Sequence, residues 1–276
     1  GRRGGGGGGG GAGGGGGGGE GGVGPAGVGG VPDGVRRASS GGLERRGART
    51  EAWTTAGFGE ILEVGRQNRH RLYDLCPQRP EPLVSGEARL VVDERVGPMG
   101  EIGPLSVDEM ERVAAELREL YATDADVSER RGGFHQSGRD ERQLEAVAVC
   151  LLFSFLDPSH ERALAEALRR ELPGVHVSIS SEVLPQFREY ERFSTTAVDA
   201  YLTPVVAKYL ERLGEAAAAS GLPEPWIMQS GGGVIPLAQA AASAAPLLLS
   251  GPAAGVVAAQ FSGDRSGVDN LIAFDM

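Results

Sequence analysis

The stretch from Ala146 to Ser180 restricts the fold more than any other part of the chain. Ala146-Val-Ala-Val-Cys-Leu-Leu-Phe153 runs apolar without a break, the mark of a strand buried on both faces. Asp157-Pro158 supplies an N-cap and a proline suited to the first helical position. The helix it opens runs to about Leu172 and is closed by Pro173-Gly174. Val175-His-Val-Ser-Ile-Ser180 then alternates as a second strand. Strand, helix and strand with connections this short form a βαβ unit, so the chain is α/β with a sheet that is at least partly parallel.

Composition decides how much of the 276 residues can share that fold. Of 46 glycines, 23 lie in residues 1–34. Residues 1–47 have almost no large apolar side chains to offset glycine's ordering entropy and read as a low-complexity tail. The tract matches a dinucleotide-binding glycine pattern many times over, but no strand precedes it and no helix follows, so the match is empty. Net charge is −10, and the tract adds nothing net, Arg2 and Arg3 standing against Glu20 and Asp33. An acidic body argues against nucleic-acid backbone binding. Cys76 and Cys150 stand alone, without zinc spacing, and read as free thiols of a reducing compartment. The longest apolar run, Ala146–Leu156, is about half of a ~20-residue membrane span, and no secretory signal follows Arg2-Arg3. The expectation is a cytoplasmic protein with no membrane partner. Lys208 is the single lysine among 27 basic residues, a pattern that coding bias in a GC-rich genome produces. The chain starts without Met and stops in what reads as a strand, which leads us to expect a fragment.

Along the rest of the chain, Phe58, Ile61, Leu62 and Val64 suit one or two helical turns, followed by a polar, basic loop at Gly65–Arg69. A strand is expected near 88–96. Ser106-Val-Asp-Glu109 is a capping box, with Ser106 accepting from the Glu109 N–H and the Glu109 carboxylate reaching back. Met110, Val113, Ala114, Leu117, Leu120 and Tyr121 predict a helix over 107–121. Residues 122–143 read as a charged surface insertion. Phe187 to about Ser220 reads as helix, kinked or broken in two at Pro204. Its opening charges, Arg188, Glu189, Glu191 and Arg192, read as a solvated face. Trp226–Gln229 is a short strand, Leu237–Ala245 an alanine-rich helix, Ala253–Phe261 a further helix, and Leu271–Phe274 the start of a buried strand. His70, His135 and His160 fall in polar loops or a helix start, His176 reads as an edge residue, and no pair has metal-ligand spacing.

Two places bring small residues to strand ends, Ser230–Gly233 and Ser250–Gly255. Glycine lets backbone approach a ligand, and helix N-termini present free N–H groups to anions; each place reads equally as a tight turn. Asp275 follows an apolar strand, where a carboxylate can hold a metal-bound water, act as a general base or cap the next turn.

Several stretches together resemble the hydantoinase A / 5-oxoprolinase family. They are Thr54–Phe58 with Glu63–Arg69, Ala146–Phe155, Ser180–Pro185 with Phe187–Arg192, Met228–Gly233, Leu249–Val256 and Phe274–Met276, in order over about residues 45–276. The resemblance implies a mixed-sheet, actin-like (sugar-kinase-like) ATPase fold, incomplete here, with residues 48–182 as the N-terminal region and 183–276 as the start of the core domain. It implies ATP and Mg²⁺ as cofactors, a small cyclic amide as substrate, and a second hydantoinase-type subunit or domain as partner. Cofactor contacts would fall to Gly251, Gly255 and Asp275, the metal to Asp275, and substrate or interdomain contacts to Gln229, Ser230, Gly231, Gly232, Gly233, Arg66 and Asn68. The family's first phosphate loop has no counterpart in the glycine tract, and the second should follow Met276. The implied activity is ATP-dependent opening of hydantoin- or 5-oxoproline-type rings. The alternatives are an ATP-dependent ketone carboxylase subunit and a non-catalytic remnant.

Overall fold

The computed structural model describes residues 32–33, 45–68, 73, 81–121 and 144–274. His70, Cys76, His135, the expected insertion at 122–143 and Asp275 lie outside them. In chain order the elements begin with strands β1 (Pro32–Asp33) and β2 (Thr50–Thr55) and the single turn α1 (Ile61–Val64). Strands β3 (Arg89–Val92), β4 (Arg95–Gly97) and β5 (Gly100–Gly103) and helix α2 (Val107–Tyr121) follow. Next come β6 (Ala146–Cys150), α3 (Ser159–Glu171), β7 (His176–Ile179), the turn α4 (Ser180–Val183) and the long α5 (Glu189–Ala219). Strands β8 (Trp226–Met228) and β9 (Val234–Pro236), then α6 (Leu237–Ala242) and α7 (Ser250–Ser266), complete the order.

The expected βαβ unit is present as β6-α3-β7, with β6 and β7 parallel and Val147 opposite Val177. It is half of a four-stranded, wholly parallel sheet in the order β3-β2-β6-β7. β2 is central and buried along its whole length. Its sequence, Thr-Glu-Ala-Trp-Thr-Thr, lacks an apolar run and gives no strand signal ahead of the helical turn. The two faces of β6 differ in size. Val147, Val149 and Leu151 pack with Trp53, Leu90, Val92 and Ile179 against Val113 of α2 and Leu164, Ala165 and Leu168 of α3. Ala146, Ala148 and Cys150 face the other way with Ala48 and Ala52, against Phe193, Ala197 and Ala200 of α5. Alanine opposite alanine lets the helix lie close on the sheet, a fit that tolerates no added methylene without strain.

α5 does not break at Pro204: it is one helix of 31 residues, roughly 46 Å long. A proline inside a helix costs on the order of 3 kcal/mol, and buried packing on both sides of it, by Leu202 and Val206, outweighs that. The second half of α5 lies on a separate core with Ile227 of β8 and Ala240, Ala244 and Leu247. There β8 pairs antiparallel with β9 and parallel with β1, Pro32 opposite Trp226. Pro32 and Asp33 fall inside the stretch expected as tail. Residues 271–274 are not the expected buried strand. They are unpaired, with Ile272 94% and Phe274 82% exposed, because no described sheet presents them with a neighbour.

Ser106 caps α2 as expected, accepting from the Glu109 N–H at 3.1 Å. The Glu109 carboxylate turns instead to the Asp93 N–H at 2.8 Å and to Arg112 at 2.7 Å, which holds its pKa below the ordinary range. Asp157 accepts from the Ser159 N–H at 3.0 Å, the bond expected of a cap two residues on, while the regular helix opens at Ser159, one residue later than expected.

Gly47 fixes how the chain enters the sheet. A Cβ there would stand 2.1 Å from the Tyr201 ring of α5, while the next residue donates from its N–H to the Tyr201 carbonyl at 2.7 Å. A Cβ at Gly231 meets nothing within 4 Å. Gly47→Ala is therefore expected to lower stability by about 1–3 kcal/mol, the usual cost of overpacking. Gly231→Ala should leave the urea denaturation midpoint within error of the parent.

Candidate functional site

The carboxyl ends of parallel strands are where open α/β sheets bind ligands, and this edge carries a dense polar construction. The Glu161 carboxylate, in the first turn of α3, is completely buried. It accepts from the Leu151 N–H at 2.9 Å, the Ser180 hydroxyl at 2.6 Å and the Ser181 N–H at 2.8 Å. Arg192, in the first turn of α5, is also fully buried. Its guanidinium donates to the Ser180 hydroxyl at 3.2 Å, the Gln186 carbonyl at 3.0 Å and the Leu151 carbonyl at 2.8 Å, and lies over Phe155. The reading of Arg192 as part of a solvated face is corrected here: helical spacing turns it inward with Thr196, Asp199 and Thr203. Glu191 keeps to the outside.

Beside this network, His160 stands between two carboxylates. Its Nδ1 is 2.8 Å from Glu94 and its Nε2 3.2 Å from Glu101. Burial works against its charge, but the two carboxylates prevail and raise its pKa above the ordinary value. His160 lies at a helix start, as expected, and is buried there, only 7% exposed. His176 lies on the edge strand as expected, sharing a face with Ser178, its Nε2 2.9 Å from that hydroxyl. The Ser178 hydroxyl donates to Asp199 at 2.7 Å, so the serine proton goes to the carboxylate and the imidazole does not act as its base. Burial lowers the His176 pKa. Cys150 is a free, buried thiol whose pKa burial pushes up to about 12; it is no nucleophile at neutral pH.

The residues singled out from sequence fall into two groups. Gln229–Gly233 is a hairpin turn between β8 and β9, closed by the Gln229 N–H to the Gly233 carbonyl at 3.1 Å. Gly232 and Gly233 have φ of 86° and 80°, which explains glycine at those two positions. Ser230 binds the Pro246 carbonyl through its N–H at 2.8 Å and its hydroxyl at 3.1 Å, bringing the turn beside the start of α7. Gly251 and Gly255, four apart on one face of α7, leave a bare strip of backbone, since a Cβ at either meets nothing within 4 Å. The neighbouring Ser250 hydroxyl is buried with no hydrogen-bond partner among the described residues. A helix start without bulk at Gly251 and Gly255 and the unsatisfied Ser250 hydroxyl fit one wall of a site for a phosphate-bearing ligand. They do not by themselves fit a divalent cation: among the described residues no group of three His, Cys, Asp or Glu side chains could hold a metal.

Arg66 and Asn68 belong elsewhere. Arg66 donates to Glu191 at 2.7 Å, and Asn68 is exposed. Their loop is anchored from behind by Arg89, a buried guanidinium bonded to the Val84 and Gly59 carbonyls and to Glu63. Sequence reading missed Glu94, Glu101, Glu161 and Asp199. A signal for Glu161 existed: with Leu164, Ala165 and Leu168 it completes the apolar face of α3, and a carboxylate on such a face needs buried partners.

The two arginines give opposite expectations. Arg192→Ala takes the donor from the Leu151 and Gln186 carbonyls and the Ser180 hydroxyl, leaves the buried Glu161 charge without its nearby opposite, and should cost on the order of 3–5 kcal/mol. Arg66→Ala removes an exposed pair, its side chain 64% accessible, and should leave the unfolding midpoint unchanged. Chemical denaturation of both variants checks the pair.

Known proteins agree with this architecture. Residues 192–276 match the hydantoinase/oxoprolinase family model, and residues 42–128 match that of the hydantoinase/oxoprolinase N-terminal region. 5-Oxoprolinase 1 of Arabidopsis thaliana is 33% identical over 256 residues, which is 88% of this chain and 19% of that protein. The alpha subunit of the caprolactamase of Pseudomonas jessenii is 39% identical over 137 residues, 49% of this chain and 20% of the subunit. The crystal structure of ATP-dependent caprolactamase from Pseudomonas jessenii superposes with a TM-score of 0.69 at 30% identity, covering 87% of this chain and 32% of that one. The chain spans about a third or less of the length of these relatives and shares the α/β, actin-like ATPase type of fold expected from its sequence. With both family regions present in order, the chain belongs to the hydantoinase/oxoprolinase family.

Proposed function

We propose that this chain is a piece of an ATP-dependent hydrolase that opens small cyclic amides of the hydantoin or 5-oxoproline type. The observation that carries the reading is the likeness, over most of this chain, to a 5-oxoprolinase and to the structure of an ATP-dependent caprolactamase. ATP, when bound, supplies a phosphoryl group that makes an amide oxygen a better leaving group and its carbon a better electrophile. The chain's own part is to hold and orient. The bare strip at Gly251 and Gly255, beside the Ser250 hydroxyl, receives phosphate oxygens, with Gln229, Ser230 and Gly231–Gly233 closing the neighbouring wall toward substrate or an adjoining domain. Arg66 and Asn68 offer a second polar surface to substrate or to that domain. Asp275 supplies a carboxylate for Mg²⁺.

A second hydantoinase-type subunit or domain completes the site. A relative named as an alpha subunit supports that reading, and the short span of this chain within its relatives is in keeping with it. No helix among the described residues is long and apolar enough to cross a membrane. We place the protein in the cytoplasm, in keeping with the free thiol of Cys150.

The test is turnover by the full gene product with any co-purifying subunit. It is supplied with ATP, Mg²⁺ and, separately, hydantoin, 5-oxoproline, caprolactam, or acetophenone with bicarbonate. ADP release coupled to ring opening of a cyclic amide is expected. Carboxylation of the ketone alone, or ring opening without ATP, overturns the reading. Within the active protein, Gly255→Ala should raise the KM for ATP at least several-fold while thermal stability holds or rises, because alanine favours a helix by about 1 kcal/mol over glycine. An unchanged KM would remove α7 from the nucleotide site.

A further inference from the structure

We propose that Glu94, His160 and Glu101 form a proton-operated clasp that locks the β4–β5 hairpin onto the carboxyl edge of the parallel sheet, closed while the imidazole is charged and open once it is neutral. The inference is independent of the proposed reaction. It begins with hydrogen-bond arithmetic. A neutral imidazole donates from one nitrogen only, and an ionised carboxylate only accepts. With Glu94 at 2.8 Å on Nδ1 and Glu101 at 3.2 Å on Nε2, both contacts are satisfied at once by the imidazolium alone.

The two ends of the clasp are unequal. The Glu94 side chain is fully buried. Its second oxygen accepts from the Thr55 hydroxyl at the end of β2, and that hydroxyl accepts the Leu152 N–H at 3.0 Å. This end is part of the core. The Glu101 side chain is 51% exposed and rides on a hairpin with little apolar anchorage: Met99 is 98% and Ile102 71% exposed, and Val96 is the buried apolar residue. Arg95 adds a bond to the Ala56 carbonyl at 3.2 Å and a stack on Phe58. Losing the Glu101 contact therefore loosens the hairpin and leaves the sheet intact.

The charges around the ring give the direction. His160 sits in the first turn of α3, where the helix dipole disfavours a cation. Asp157, just before the helix, carries a charge of the favourable sign and is held by the Ser159 N–H. Glu161 is turned away to Leu151, Ser180 and Ser181, and Arg95 points to a carbonyl. Glu94 and Glu101 thus dominate, and the raised pKa of His160 agrees. For a group whose folded pKa is raised, the added stability is fully present below the unfolded value, about 6.5, and is lost as pH rises through the folded value. The clasp is shut in mild acid and opens toward alkaline pH.

The test combines ¹⁵N-histidine NMR on the full chain with amide-exchange protection factors for Val96–Gly103, corrected for the intrinsic pH dependence of exchange. Wild type should show both His160 nitrogens protonated at pH 6, titration above 6.5, and at least a ten-fold fall in hairpin protection across that titration. Glu101→Gln, at an exposed position that keeps the fold, should move the titration to lower pH and reduce hairpin protection at pH 6. His160→Gln should remove the pH dependence. A single neutral tautomer at pH 6, hairpin protection that is flat across the titration, or a Glu101→Gln variant indistinguishable from wild type overturns the clasp.

Discussion

The structure depends on one buried guanidinium. Arg192 lies where β6 ends, β7 ends and α5 begins, and it reaches all three. It holds the Leu151 carbonyl after β6, the Ser180 hydroxyl after β7, and the Gln186 carbonyl in the approach to α5. Ser180 donates onward to Glu161, so the opposite charges are joined through a hydroxyl rather than face to face. Burying two charges is costly unless their donors and acceptors are satisfied, and here each charged group makes three hydrogen bonds. A cluster of that kind is weak evidence for stability and good evidence for geometry. It sets where the strand ends stand relative to the helices that leave them.

That fixed edge is what the flanking features use. The loop bearing Arg66 and Asn68 is held by Arg89 from the sheet side and Glu191 from the helix side. The β4–β5 hairpin hangs from the same edge through His160. The turn at Gln229–Gly233 and the start of α7 belong to the second core, and reach the first through α5 and Asp199. Bare backbone gathers at the start of α7, while buried charge gathers at the sheet edge.

Elements with a strong period were legible from sequence. The apolar run of β6, the alternation of β7, the Ser106 cap of α2 and the apolar stripes of α3 and α5 all lie where the pattern puts them. β2 was hidden because Thr50, Glu51, Thr54 and Thr55 are polar yet buried, and the Thr55 hydroxyl meets its partners, Glu94 and the Leu152 N–H, only in the folded chain. Arg192 was misread for the same reason: in a one-dimensional pattern a charge on a helix looks solvated. Pro204 looked like a break because local cost was weighed without the two cores that hold its flanks. Of the candidate site, the glycine turn and the start of α7 were visible as small-residue clusters at strand ends. The convergence of Glu94 and Glu101 on His160 was not, since residues 59 and 66 positions apart carry no joint signal in the chain.

Asp199 has a mechanical meaning. Its carboxylate accepts from Ser178 of β7 at 2.7 Å, and from the Ser243 hydroxyl at 2.7 Å and the Ala245 N–H at 2.8 Å beyond α6. Among the described residues the two cores share no strand, and α5 is the axle that runs through both. The Asp199 carboxylate is a key in that shaft. A load on either core, from a bound ligand or a neighbouring domain, meets a side chain that the other core also holds.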